Sequence, residues 1–208
     1  ETKAVIDASK MAGARRVYIV EEPMAAAIGL GLPIAESVGS MVVDVGGGTS
    51  DIAVIALFGV VKSKSMKIAG DKFNNDIITY LKDEFKLLIG EKTAESVKMA
   101  VASAVSVGYL EAQVRGRDMI SGLPREVIIT DSDIREALAV SIKEFVEGVK
   151  DILETTPPEI LGDIMRNGIT ISGGTTGAIT VGTTDILGCP VRFNDKGYIA
   201  RCGWNGTL

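Results

Sequence analysis

The segment Asp44-Val45-Gly46-Gly47-Gly48-Thr49-Ser50-Asp51 restricts what this chain can fold into more than any other stretch. It joins two apolar runs, Met41 to Val45 and Asp51 to Leu57, with no room for a helix between them. Short runs of β-forming residues separated by glycines read as strands, and so short a connection makes them antiparallel. A tight hairpin generally needs one glycine, so three in a row before a threonine exceed what a turn requires. Without a Cβ, these residues can adopt φ > 0 and turn successive N–H groups towards an anion such as phosphate. Asp44, at the end of its strand, can orient a hydrated Mg²⁺, and the Thr49 hydroxyl can bond a phosphoryl oxygen. The residues alone leave a plain hairpin and a phosphate turn both open.

The flanking pattern extends this pair into a larger unit. Gly59 turns the chain into a third strand, Val60 to Ile68, where Lys62, Ser63, Lys64 and Ser65 interrupt the apolar residues, so the three strands form an antiparallel meander. Asp71 to Leu88 then carries Phe73, Ile77, Ile78, Leu81, Phe85 and Leu88 at helical spacing, with Asp71 placed to cap it. Upstream, Glu1 to Gly13 reads as a helix ending at a glycine, Arg16 to Val20 as a short strand, and Met24 to Leu30 as an apolar helix with Pro23 in its first turn. Three strands followed by a helix open a ribonuclease-H-like α/β unit, a mixed sheet with flanking helices.

The next stretch differs in character. Glu91 to Val105 is helical, with Ala94, Val97, Val101 and Val105 on one side, and Gln113 to Asp118 and Glu126 to Thr130 are strands joined across Gly122-Leu123-Pro124. A long helix follows from Asp133 to Glu154, capped by Asp131 or Ser132 and lined by Ile134, Leu138, Ile142, Val146, Val149 and Leu153. Residues 91–152 are therefore read as a small α/β insert, and 1–90 with 153–208 as the main subdomain. Pro157-Pro158 opens another helix to Asn167-Gly168, then comes a buried strand, Ile169 to Ser172, and a further strand at Val191 to Phe193. The buried strand ends in a second glycine turn, Ser172-Gly173-Gly174-Thr175, which read alone is a strand-to-helix turn. Two such turns on separated strands suggest a ligand held across the strand ends of one sheet.

Composition narrows the chemistry. The chain has no histidine, which removes the commonest general base, the usual zinc ligand and any Ser/His/Asp triad. A net charge of −5 argues against a nucleic-acid partner. Two cysteines, Cys189 and Cys202, are too few for a secreted disulfide scaffold and read as reduced thiols in the cytoplasm. No secretory signal pattern is visible, and the longest apolar stretches fall short of the ~18 residues that span a bilayer.

Two further runs, Val20-Glu21-Glu22-Pro23-Met24-Ala25-Ala26-Ala27-Ile28-Gly29 and Gly39 through Thr49, complete a set with Ile68 to Asp71, Ile89 to Glu95, Arg115 to Arg117, Gly122 to Pro124 and Thr156 to Glu159. In that order and spacing, over residues 1–175, the set resembles the MreB family of bacterial actin-like proteins, within the actin, chaperone and sugar-kinase superfamily. The resemblance implies an actin half-domain fold and binding of ATP or ADP with Mg²⁺. Asp44, Gly46, Gly47, Gly48 and Thr49 would form its second phosphate loop, with Asp44 on the metal side through water and Thr49 near the γ-phosphate. Glu22 takes the position of the family's water-orienting glutamate, although by itself it reads as a charge complementing a helix N-terminus, worth ~0.3–1 kcal/mol. Glu95 and Lys98 match residues that contact the ribose and base; by themselves they read as a solvated i,i+3 ion pair worth ~0.2–0.5 kcal/mol. Gly173 and Gly174 match the glycine turn beside adenine.

The resemblance also implies a weak ATPase that assembles with itself into filaments. Its partners would be the shape and wall-synthesis machinery at the inner face of the cell membrane. Residues 1–15 would be a helix of the preceding half. The family's first phosphate loop and the rest of that half have no counterpart here, so the isolated chain, with one wall of the cleft, is expected to be inactive. Thr175 stands where the adenine turn has a third glycine, 176–188 is shorter than the family's helix, and 197–208 departs from its pattern. A sugar kinase, a chaperone-type nucleotide switch or a polymerising pseudo-ATPase are the alternatives on the same fold. No sugar pocket or substrate domain is recognised in the sequence, and Glu22 with Thr49 speaks against the pseudo-enzyme.

Overall fold

A computed structural model describes residues 2–104, 108–173 and 191–193. Helices α1 (Thr2–Met11) and α2 (Glu22–Gly29) precede the strands β1 (Ser40–Val45), β2 (Ser50–Ala56) and β3 (Gly59–Met66). Helix α3 (Gly70–Phe85), the short strand β4 (Leu87–Leu88) and helix α4 (Glu91–Val101) follow, then strands β5 (Glu111–Asp118) and β6 (Pro124–Thr130). Helices α5 (Asp131–Glu154) and α6 (Pro158–Asn167) lead to β7 (Ile169–Ser172), and β8 is Val191–Phe193.

The main sheet has the order β3-β2-β1-β7-β8. The meander β1–β2–β3 is antiparallel, whereas β7 and β8 add to β1 in parallel. Both faces of its centre are covered, which is why β1 and β2 are apolar along almost their whole length. Met41, Val43, Val45, Ile52 and Val54 point into the larger core with α3, α5 and α6; Val42, Ala53 and Ile55 point to the other face, where Ala27 of α2 packs. The second sheet, β4-β5-β6, is antiparallel. Helix α5 runs past both sheets. Its Asp151 pairs with Lys64 on β3 at 2.7 Å, its Ser141 donates to Asp76 on α3 at 2.5 Å, and its first turn continues directly from β6. Among the described residues no helix is long and apolar enough to cross a membrane.

Several local expectations are corrected. Arg16 to Val20 forms no strand: no described strand pairs with it, and Tyr18, Ile19 and Val20 are exposed. The β2–β3 turn is made by Leu57 and Phe58, with φ of 50° and 58°, and Gly59 is already the first residue of β3. The cap of α5 is Thr130, not Asp131 or Ser132; its side chain accepts from Asp133 N while the Asp133 carboxylate accepts from Thr130 N, a reciprocal capping box. Helix α3 stops at Phe85 because Lys86 adopts a left-handed conformation, so Leu88 lies on β4. Asp71 does not cap α3, which starts without a side-chain cap. Helix α4 ends at Val101, and Val105 lies outside the described residues.

Candidate functional site

The glycine turn sits where β1 ends and β2 begins. Gly46 N donates to Thr49 O at 2.9 Å and closes the loop, while Gly47, Gly48 and Thr49 are exposed. The amino end of α3 is docked on the same loop: Gly70 N donates to Gly46 O at 3.1 Å and Asp71 N to Gly47 O at 2.8 Å. Helix donors that normally look for a cap therefore end on loop carbonyls, which explains why Asp71 caps nothing. A Cβ on Gly47 would lie 3.7 and 3.8 Å from the two Asp71 carboxylate oxygens, so this carboxylate flanks the turn. Ser50 donates its hydroxyl to Ile68 O at 2.5 Å and holds the strand leaving the turn to the segment that enters α3.

Asp44 is half-buried and sits opposite Asp51 on β2 and Ser172 on β7. The Ser172 hydroxyl donates to Asp44 Oδ1 at 2.7 Å, so one carboxylate oxygen is pinned by a neighbouring strand. The next residue, Gly173, has φ of 110° and lies over Val45; a Cβ there would overlap the Val45 carbonyl oxygen. The first glycine turn and Gly173, the described glycine of the second, thus lie side by side at the ends of adjacent parallel strands. Gly174 lies outside the described residues.

Glu95 and Lys98 are on α4 and do form an ion pair, Nζ to Oε1, at 3.6 Å, but it is not a solvated one. The Lys98 side chain is 4 % exposed, against 53 % for Glu95. Lys98 Nζ donates to Gly70 O at 3.4 Å, and Asn74 Nδ2 donates to Glu95 Oε2 at 3.1 Å. Burial pushes the Lys98 pKa down, opposed by the nearby charges of Glu95 and Asp71. Glu22 opens α2, is exposed, and has Pro23 buried beside it; no hydrogen bond or ion pair joins it to the glycine turn.

The structure therefore gathers Asp44, Gly46, Gly47, Gly48, Thr49 and Gly173 at one sheet end and connects Lys98 and Glu95 to it through α3. Asn74 joins this group without having been singled out in the sequence, and Asp71 and Ser172 join it although the sequence marks them only as a helix cap and as the start of a glycine turn. Ser172 adjoins the second glycine turn and Asp71 follows a glycine at a helix start, but only strand pairing and helix docking reveal what each touches. Among the described residues no cluster of three or more acidic, cysteine or histidine side chains forms a metal cage. A single positioned carboxylate such as Asp44 suits Mg²⁺, which keeps most of its waters and takes further oxygens from substrate phosphates.

The chain matches the family model described as MreB/Mbl protein over residues 1–197. It is 47 % identical over 188 residues to the cell shape-determining protein Mbl of Bacillus subtilis, covering 90 % of this chain and 56 % of that protein. Against the cell shape-determining protein MreB of Escherichia coli it is 46 % identical over 175 residues, covering 84 % of this chain and 50 % of the relative. The chain spans about half the length of the curated relatives it matches. The crystal structure of MreB5 of Spiroplasma citri bound to AMPPNP superposes with a TM-score of 0.88 at 40 % identity, covering 93 % of this chain and 59 % of that one. A MamK double helical filament shares the fold at a TM-score of 0.75 and 18 % identity. With its mixed sheet, its glycine turn beside Gly173 and relatives at nearly half identity, the chain belongs to the MreB/Mbl family of actin-like cell-shape proteins.

Proposed function

We propose that the protein to which this chain belongs is a cytoskeletal filament subunit that binds ATP with Mg²⁺ and hydrolyses it slowly. The observation that carries this reading is the exposed Gly46–Thr49 turn, braced by the start of α3 on one side and by Ser172 and Gly173 on the other. A turn held this firmly keeps its N–H groups oriented before a phosphate arrives, so less ordering remains to be done on binding. The MreB5 structures bound to AMPPNP and to ADP support nucleotide as the ligand.

In this reading the N–H groups of Gly47 and Gly48 cradle phosphate, Gly46 shapes the turn by donating its own N–H to Thr49 O, and the Thr49 hydroxyl bonds the terminal phosphoryl group. Asp44 holds the waters of Mg²⁺, which when bound neutralises phosphate charge. Glu22, exposed at the start of α2, aligns a water for in-line attack on phosphorus. Glu95 and Lys98 mark the nucleoside side, as does Gly173 with Gly174. Residues 91–152 are the inserted subdomain. Contacts between unlike ends of successive subunits, repeated without closing into a ring, give an open filament. The names of the relatives, cell shape-determining proteins, support a role in cell shape, and in this reading that role is exercised at the inner face of the cell membrane.

The test is sedimentation of the full-length protein with Mg-ATP while phosphate release is followed, beside Glu22→Ala. Pelleting of both forms with phosphate released by the wild type alone supports the reading. If neither form pellets under any nucleotide condition, the filament function fails; if Glu22→Ala releases phosphate at the wild-type rate, the role given to Glu22 fails.

A further inference from the structure

Lys98 is placed where a ligand contact and its observed surroundings disagree. At 4 % side-chain exposure its ammonium offers little free surface, and its near partners are Glu95 Oε1 at 3.6 Å and Gly70 O at 3.4 Å. Glu95 is kept in place by Asn74, which directs its amide at Glu95 while leaving its own Oδ1 buried without a partner. Gly70 is the junction. Its carbonyl accepts from Lys98, and its N–H donates to Gly46 O at 3.1 Å; the following N–H, of Asp71, donates to Gly47 O at 2.8 Å. An unbroken set of polar contacts thus runs from Asn74 and Glu95, through Lys98 and the first turn of α3, into the glycine turn. Charge acts along the same line, since Asp71 stabilises the Lys98 ammonium and its carboxylate flanks Gly47.

We infer that Lys98 is a positioning residue for the phosphate turn: by holding the Gly70 carbonyl it sets the first turn of α3 against Gly46 and Gly47, and so couples the nucleoside side of the cleft to the phosphate side. This rests on the nucleotide-binding reading above and adds a regulation to it. A ligand group that engages Glu95 tightens or loosens Lys98, and Lys98 passes the change to the turn through a backbone carbonyl. Coupling of this kind is reciprocal, so phosphate at the turn also alters the affinity for nucleoside.

Magnesium tripolyphosphate and adenosine separate the two sides, because one lacks base and sugar and the other lacks phosphate. Binding of each, and of Mg-ATP, is measured by calorimetry on the full-length protein as wild type, Lys98→Met and Glu95→Gln, with thermal melting as the check on folding. The inference expects Lys98→Met to weaken tripolyphosphate by about tenfold and Glu95→Gln, which removes the charge paired with Lys98, to change it by about fivefold, within the usual range of coupling between linked sites. Lys98→Met that binds tripolyphosphate like the wild type overturns the inference, whether or not adenosine binding is lost. Should Lys98→Met melt below working temperature, amide hydrogen exchange on the wild type serves instead: saturating adenosine is expected to slow exchange at Gly70 and Asp71, and no change at either overturns the inference. A wild-type protein that binds none of the three ligands overturns the nucleotide reading itself.

Discussion

Gly173 crosses Val45 so closely that a methyl group at residue 173 would lie 2.7 Å from the Val45 carbonyl carbon and 2.8 Å from its nitrogen. The obstacle is backbone, not a flexible side-chain end, and Gly173 also holds φ of 110°. Neither strain can be relieved by a rotamer change. Gly173→Ala is expected to destabilise the fold by ~3 kcal/mol or more, since the left-handed conformation alone costs ~1–3 kcal/mol. Gly162→Ala is the matched control, because nothing lies within 4 Å of a Cβ there and the residue is inside α6. That change is expected to stabilise by ~0.5–1 kcal/mol. Urea denaturation of both variants checks the pair, and equal effects would show that the Val45 approach is looser than described.

Ser172→Ala removes the hydroxyl that pins Asp44 Oδ1 at 2.7 Å but leaves the carboxylate itself. If Asp44 serves Mg²⁺ through water, losing this support should raise the Mg²⁺ concentration for half-maximal ATP binding by about tenfold, as other outer-shell supports do. Magnesium titration at fixed nucleotide measures it. An unchanged midpoint would remove Asp44 from the metal side.

Phe58→Asn should stabilise the chain. Leu57 and Phe58 both hold positive φ, and both are large apolar side chains, 66 % and 68 % exposed. Their N–H groups are committed, Leu57 N to Glu36 O at 3.1 Å and Phe58 N to Ile34 O at 2.7 Å, so the turn conformation will survive substitution. Asparagine tolerates this backbone far better than phenylalanine, and the expected gain is ~0.5–1 kcal/mol in urea denaturation.

Acid stability should depend on Asp118. The Ser121 backbone N–H, then the Arg125 guanidinium, hold its carboxyl at a pKa of about 2, below the ordinary 3.8. These contacts favour the ionised folded form, so they stabilise above the ordinary carboxylate value and are lost as pH falls from 3.8 towards about 2. Asp118→Asn should lower the Tm at pH 7 and flatten its fall over that acid range. Parallel Tm profiles for the two proteins would rule out the carboxylate as the cause.

Regular periodicity made much of this fold legible. The stripe Ile134, Leu138, Ile142, Val146, Val149 and Leu153 is buried along α5 as its spacing requires, and the meander β1–β2–β3 follows the apolar runs around the glycine turn. Features set by long-range partners were not legible. The i,i+3 spacing of Glu95 and Lys98 indicates a pair but not that the lysine is buried beneath α3. Likewise, Asp44 and Ser172 meet only because strands distant in sequence run in parallel. Arg16 to Val20 has β-forming residues but no described strand to pair with. Thr130 was missed as a cap because β6 ends and α5 begins at adjacent residues.

Helix α5 gives the chain a common fate under denaturing stress. Its buried apolar side chains belong to one cluster that also holds Val43 of the main sheet and Val114 and Ile129 of the smaller one. Melting either sheet by itself would strip cover from the same helix and expose apolar surface that the other still needs. Partial opening is therefore expensive, and the described residues should lose their structure as one cooperative unit, with slowly exchanging amides on both sheets reporting nearly the same opening free energy.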